Sequence, residues 1–183
     1  MKKTHGHTGA PVAVGPYTVF AAGEQDLRTS DFDDMDVLIA LTRHIPPLRF
    51  GKTYQILAAP LADYGGVPLR WKDFLQERVV PLLEQQKRVM AFCVASHGRT
   101  GTFLASLISL LETKKETPDP IRAVRERHCL DAVETREQAE AVFAIRGEQL
   151  PRKYELEFGR EIKKEIAPSK EGKIWEDYRG KLK

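Results

Sequence analysis

The run VMAFC, residues 89–93, is apolar throughout and ends in a cysteine, and Arg99 stands six positions after that cysteine. Beyond it, Phe103, Leu104, Leu107, Ile108 and Leu111 recur at helical spacing. A continuous apolar run of this length reads as a strand buried on both faces, the habit of parallel sheets. Gly98 and Gly101 loosen the turn between strand and helix. A buried strand feeding a helix through a six-residue loop requires a layered α/β architecture. It also places the loop at the carboxyl end of a strand, where such folds bind ligands.

The rest of the chain fits that architecture. Residues 17–21, 36–42 and 54–58 read as three further strands, the second buried on both faces. Trp71, Phe74, Leu75, Val79, Leu82 and Leu83 predict a helix that Pro81 kinks or ends. The breaker at 117–120 is followed by a short helix through Ile121 and Val124. A further helix starts near Thr135, which with Gln138 three residues on fits a capping box. Strands alternating with helices predict an α/β fold with a mostly parallel central sheet flanked by helices. Residues 1–15 are expected to be a flexible segment, loose or extended, residues 16–150 one domain, and residues 151–183 a helical tail with a frayed end.

Charge divides unevenly along the chain. Residues 151–183 hold ten Lys/Arg and seven Asp/Glu, and the other 150 residues hold nineteen of each, so the formal excess lies in the tail. Such a tail is either a solvated helix of mixed charge or an attractor of an anionic partner. No apolar run approaches a membrane span. The opening MKKTHGHTGAP has no apolar segment behind its lysines and does not read as a secretory signal. Two cysteines, Cys93 and Cys129, make no disulfide framework, and a reducing cytoplasm is the expected setting.

The loop after Cys93 carries specific chemistry. The backbone N–H groups of Val94, Ala95, Ser96, His97, Gly98 and Arg99 are placed to form an anion nest at a helix N-terminus. The planar fork of Arg99 suits two phosphate oxygens. The same positive field favours the thiolate of Cys93, a nucleophile beneath a cradled phosphate.

On Cys93, the five residues after it, Arg99 and Thr100, the chain resembles the cysteine-dependent protein tyrosine phosphatases, nearest to their small dual-specificity branch. The likeness covers roughly residues 15–150. It implies that Cys93 is the nucleophile, Arg99 the phosphate clamp and Thr100 the stabiliser of the departing sulfur. The segment 60–68, PLADYGGVP, resembles the loop that carries the family's general acid, and Asp63 takes that place. Gly65 and Gly66 would give such a lid its freedom; alternatively Asp63 only starts a turn. Residues 132–138 resemble the segment that brings a glutamine to the site, so Gln138 either orients the hydrolytic water, caps a helix, or does both. The resemblance calls for no cofactor and no metal.

Two positions depart from the family loop. Phe92 replaces a histidine that helps fix the loop, and phenylalanine cannot donate a hydrogen bond. Ser96 replaces a glycine, which is costly if the position needs positive φ. His97 either adds positive charge beside a bound phosphate or faces outward as a neutral ring. The expected activity is metal-independent hydrolysis of phosphorylated protein or peptide. The alternatives are phosphoinositide or RNA 5′-phosphate substrates, or a pseudophosphatase that reads phosphate without turnover. Lipid-directed relatives carry lysines inside the loop, and this loop has none.

Other residues carry weaker signals. His5 and His7 are potential weak metal ligands. Cys129 is either structural or a resolving thiol for Cys93. The acidic run 31–36 lacks the glycine and terminal glutamate of a calcium loop and reads as a helix start. Arg122, Arg125 and Arg127 either form a basic rim or face water.

Overall fold

The structure is a computed structural model that describes residues 9–29, 32, 34–47 and 54–165. His5 and His7 lie outside the described residues, as does the tail beyond Glu165. The chain divides into two compact units, Met1–Leu150 and Pro151–Lys183.

The first unit is built on a five-stranded sheet in the order β1-β2-β5-β3-β4. Strands β2 (Tyr17–Gly23), β3 (Val37–Ala40), β4 (Gln55–Ala58) and β5 (Val89–Cys93) are mutually parallel, and β1 (Ala10–Val14) joins β2 antiparallel at the edge. The sheet is thus mostly parallel and flanked by helices, as its alternating pattern predicts. Residues 1–15 are expected to be loose or extended, and Ala10–Val14 take the extended form as strand β1. Its alternation is weak, with Val12 and Val14 buried among exposed neighbours, and only pairing with β2 makes it a strand.

Strand β5 occupies the middle of the sheet, and all five of its residues are buried. The pleat sends Phe92 and Met90 to one face, where they pack with Ala22, Leu27, Met35, Leu38 and Ala40. Leu27 belongs to α1 (Glu24–Thr29), a six-residue helix that sequence patterning misses because Gly23 ends the strand directly before it. The described part of the acidic run 31–36 forms a turn rather than a helix start, with Met35 N–H donating to Phe32 O and Asp36 accepting from Arg88 N–H.

Residues 71–84 form one helical stretch in three parts: α2 (Trp71–Phe74), a π-helical segment (Leu75–Val79) and α3 (Val80–Glu84). Pro81 neither ends the stretch nor needs a sharp kink. It lacks an N–H, and its ring crowds the carbonyl four residues back, so the wider π turn before it absorbs the mismatch. Trp71 fastens this stretch to the long helix α4 (Gly98–Leu111), its Nε1–H donating to Ser106 Oγ at 3.1 Å and its ring meeting Phe103 edge-on. Around α4 stand α5 (Pro120–Arg127), capped by Asp119, and α6 (Arg136–Ala144), capped by Thr135.

In the second unit, α7 (Arg152–Glu165) stacks Tyr154 on Phe158, one turn apart, with ring centroids 6.1 Å apart. No helix among the described residues is long and apolar enough to cross a membrane.

Candidate phosphate-binding active site

Cys93 is the last residue of β5 and is 2% exposed. It shares the sheet face of Val89 and Ala91, while Phe92 packs into the opposite core. Residues 94–97 then turn the chain into α4, whose N-cap is His97 with no side-chain cap. The loop is anchored at its start, where Glu24 N–H donates to Val94 O and Leu41 N–H to Phe92 O. Neither Cys93 nor Cys129 is in a disulfide, and both are buried.

Ser96 adopts φ +60° and is fully buried. The position therefore does require the left-handed region that serine enters at a steric cost. The conformation is held from outside: His128 Nε2–H donates to Ser96 O at 2.6 Å, which fixes the proton on Nε2 for that contact. The Ser96 hydroxyl lies 3.5 Å from the same ring nitrogen. Phe92 cannot support the loop by hydrogen bonding, and His128, arriving from the end of α5, does so instead.

Asp63 and Arg99, drawn from segments far apart in sequence, form an ion pair with Asp63 Oδ1 3.2 Å from Arg99 Nη2. The Arg99 side chain is 11% exposed and that of Asp63 62%, so a shielded cation meets a carboxylate at the solvent edge. Leu61 N–H donates to Leu41 O, which ties the Asp63 segment to the end of β3. Thr100 is fully buried, and among the described residues its Oγ1 has no hydrogen-bond partner. A buried hydroxyl held without a partner is uncommon and calls for a functional account.

Gln138 is 1% exposed, and its amide oxygen accepts from Glu134 N–H at 2.8 Å. Thr135 Oγ1 accepts from Gln138 N–H, so the cap is present, but the glutamine side chain reaches Glu134 rather than closing a reciprocal box. This contact exposes a residue the sequence reading missed. Glu134 lies against the loop, its carboxylate accepting from Gly98 N–H and crowding the place where a side chain on Gly98 would begin. Burial pushes the Glu134 carboxyl up, with Asp63 and Asp131 adding to the rise and His97 and the Gly98 N–H opposing it.

The segment 128–135 that carries His128 and Glu134 is itself strained. Val133 has φ +62°, a genuine outlier for a β-branched residue. Arg125 holds it, donating to Ala132 O and Val133 O at 3.0 and 3.1 Å. Gly101 lets the segment lie against α4, since a Cβ there would meet Ala132 Cα at 2.7 Å. The three arginines of α5 therefore form no basic rim. Arg125 braces the site, Arg127 pairs with Glu112 and Ala13 O, and Arg122 pairs with Glu126. Cys129 packs against the loop as well, its Sγ 3.2 Å from His97 Nδ1. Burial pushes the Cys129 thiol up.

No family model matches the chain. Two uncharacterized proteins of Methanocaldococcus jannaschii are similar in sequence. MJ0215 is 38% identical over 97 residues, 53% of this chain and 56% of that protein. MJECL20 is 36% identical over 87 residues, 48% of this chain and 56% of that protein. The matched region thus spans little more than half the length of either relative. Among solved structures, Tk-PTP in its active form superposes with a TM-score of 0.57 at 18% identity, covering 74% of this chain and 95% of that one. Kinase associated phosphatase, with its catalytic-site cysteine replaced by serine, gives 0.60 at 14% identity, covering 75% and 92%. The human tyrosine phosphatase-like serine/threonine/tyrosine-interacting protein gives 0.55 at 15% identity, covering 82% and 98%. Sheet, loop and these likenesses agree: the chain has the fold of the cysteine-dependent tyrosine and dual-specificity phosphatases.

Proposed function

We propose that the chain is a cysteine-dependent phosphomonoester hydrolase acting on phosphorylated protein or peptide. The Cys93 thiolate attacks phosphorus, the bond to the leaving oxygen breaks, and Asp63 gives that oxygen its proton. Water then attacks the phosphocysteine, Asp63 takes a proton from it, and Thr100 Oγ1–H steadies the departing thiolate. Gln138 holds the Glu134 segment through its amide oxygen and orients the water through its amide NH₂. Arg99 and the N–H groups of residues 94–99 stabilise the equatorial oxygens throughout, so the proposed chemistry calls on no metal or cofactor.

The observation that carries this reading is the Arg99–Asp63 ion pair. It brings the candidate acid within reach of the clamp that would hold the phosphate, and nothing in the sequence separation of thirty-six residues would do so by chance packing of a turn. The orphaned Thr100 hydroxyl supports it, because a thiolate or thiophosphate sulfur is the acceptor such a group would meet. The rim supports an aryl or peptide substrate. Tyr64, Val94 and Leu130 are 66, 55 and 81% exposed, and they follow Asp63, Cys93 and Cys129 directly in the chain. Exposed apolar side chains beside an anion cradle suit a phosphorylated side chain better than a sugar headgroup.

A second reading rests on Glu134. A carboxylate on the Gly98 N–H competes with phosphate for the nest, as expected of a loop that holds its ligand without turning it over. Hydrolysis of an aryl phosphate from about pH 4.5 to 8.5, with Cys93→Ser and Asp63→Asn beside the wild type, separates the two. The hydrolase reading expects no turnover from the serine variant and a loss on the order of 100-fold, with an altered basic limb, from the asparagine variant. Vanadate binding with no wild-type turnover would establish the pseudophosphatase instead.

A further inference from the structure

His97, Cys129 and Asp131 stand together at the edge of the loop, and the proposed hydrolysis uses none of their side chains. Their ligand atoms all lie within 4.8 Å of one another, and His97 Nδ1 is 3.2 Å from Cys129 Sγ. In a tetrahedral zinc site, with Zn–N about 2.0 Å and Zn–S about 2.3 Å, nitrogen and sulfur sit about 3.5 Å apart. The pair therefore needs a shift of only a few tenths of an ångström to share an ion.

We propose that His97, Cys129 and Asp131 form a binding site for a divalent cation of the zinc class. Imidazole nitrogen, thiolate sulfur and one carboxylate oxygen are a borderline-soft ligand set that selects zinc or cobalt over magnesium or calcium. The surroundings fit. Asp131 N–H donates to Cys129 Sγ at 3.4 Å, the kind of outer contact that steadies a metal-bound thiolate. Arg125 braces the segment that presents Cys129 and Asp131 by gripping Ala132 O and Val133 O. The Asp131 side is exposed, which leaves the fourth position to water or to an incoming anion. On binding, the Cys129 thiol gives its proton to solvent and its sulfur pair to the metal, with no change in oxidation state. Because His97 is the N-cap of α4, a bound ion would tie the phosphate loop to the segment between α5 and α6.

Cobalt(II) titration of the full chain tests the site without reference to hydrolysis, so it stands or falls separately from the phosphatase reading. The expected result is one equivalent of cobalt with a thiolate-to-cobalt charge-transfer band and the visible bands of four-coordinate cobalt, displaced by zinc and not by magnesium. The band also sets aside the N-terminal histidines, which supply no sulfur. It should persist in Cys93→Ser, vanish in Cys129→Ser, and weaken in affinity on the order of tenfold or more in Asp131→Asn. Loss of the band in Cys93→Ser with its retention in Cys129→Ser would assign the metal to the wrong thiol and overturn the proposal, as would no band in the wild type. Should Cys129→Ser fail to fold, the exposed Asp131→Asn carries the test, and unchanged cobalt affinity there would refute it.

Discussion

His128 Nε2–H reaches across thirty-two residues to donate to the carbonyl oxygen of Ser96 at 2.6 Å. It holds the residue with the least favourable backbone in the loop, at φ +60°. Replacing His128 by alanine leaves that buried carbonyl without its donor and frees the loop to relax. We expect a stability loss of about 1–2 kcal/mol in urea unfolding and a fall in vanadate affinity on the order of tenfold. His128→Gln, which can still donate, should recover part of both. Unchanged vanadate affinity in His128→Ala would show that the loop keeps its shape alone.

Ser96 provides the complementary test. Glycine at φ +60° escapes the Cβ penalty of about 1 kcal/mol, and the serine hydroxyl offers in return only a 3.5 Å approach to His128. Ser96→Gly should therefore melt at the same temperature as the wild type or a few degrees higher. A clearly lower melting temperature would mean that the hydroxyl contributes more than its geometry suggests.

Glu134 predicts a pH dependence of anion binding. Burial raises its carboxyl above the ordinary carboxylate range, so it carries a proton to higher pH than a free side chain does. Below that titration the neutral acid tolerates, or donates to, an anion at the Gly98 N–H; above it, two negative charges compete for one nest. Sulfate keeps its charge across this range and is the suitable probe, in the Cys93→Ser chain so that the thiol stays silent. Affinity should fall as pH rises through the Glu134 titration. Glu134→Gln should flatten that dependence and tighten sulfate at neutral pH on the order of tenfold. A pH profile identical in both chains would place the dependence on another group.

The parts of the site legible in the sequence are those whose function is local. Cys93, Ser96, Gly98, Arg99 and Thr100 lie on one strand-loop-helix unit, so their spacing alone implies a shared loop. Strands β3 and β5 were readable because burial on both faces of a parallel sheet demands continuous apolar runs. Strand β1 was not, since an edge strand depends on its partner more than on its own pattern. His128 and Glu134 were illegible for the same reason: nothing near residue 128 or 134 indicates that tertiary packing sets them against the loop. The string Arg127-His128-Cys129 held the available signal, three chemistry-bearing residues at the end of a short helix. Its arginine neighbours invited a surface reading, which Arg125 and Arg127 refute by donating inward to carbonyl oxygens.

Away from the site, Glu112 joins α4 to the β1–β2 turn and to α5, and it sets an acid limit on stability. Burial pushes its carboxyl up, but donation from Arg127, Thr117 and Gly15 N–H, with the Arg127 charge, brings it down to about 2 from an ordinary 4.5. The folded chain thus keeps this carboxylate ionised at pH values where the unfolded chain protonates it. The associated stabilisation, about 2–3 kcal/mol, is present in full above the unfolded value and is lost as pH falls from there towards 2. Glu112→Gln has no such titration. Between about pH 6 and pH 2.5 the wild type should lose about 2 kcal/mol more stability than the glutamine variant in matched urea titrations, because carboxylates common to both chains cancel. Parallel loss in the two chains would mean that Glu112 is screened by solvent and that other carboxylates govern acid unfolding.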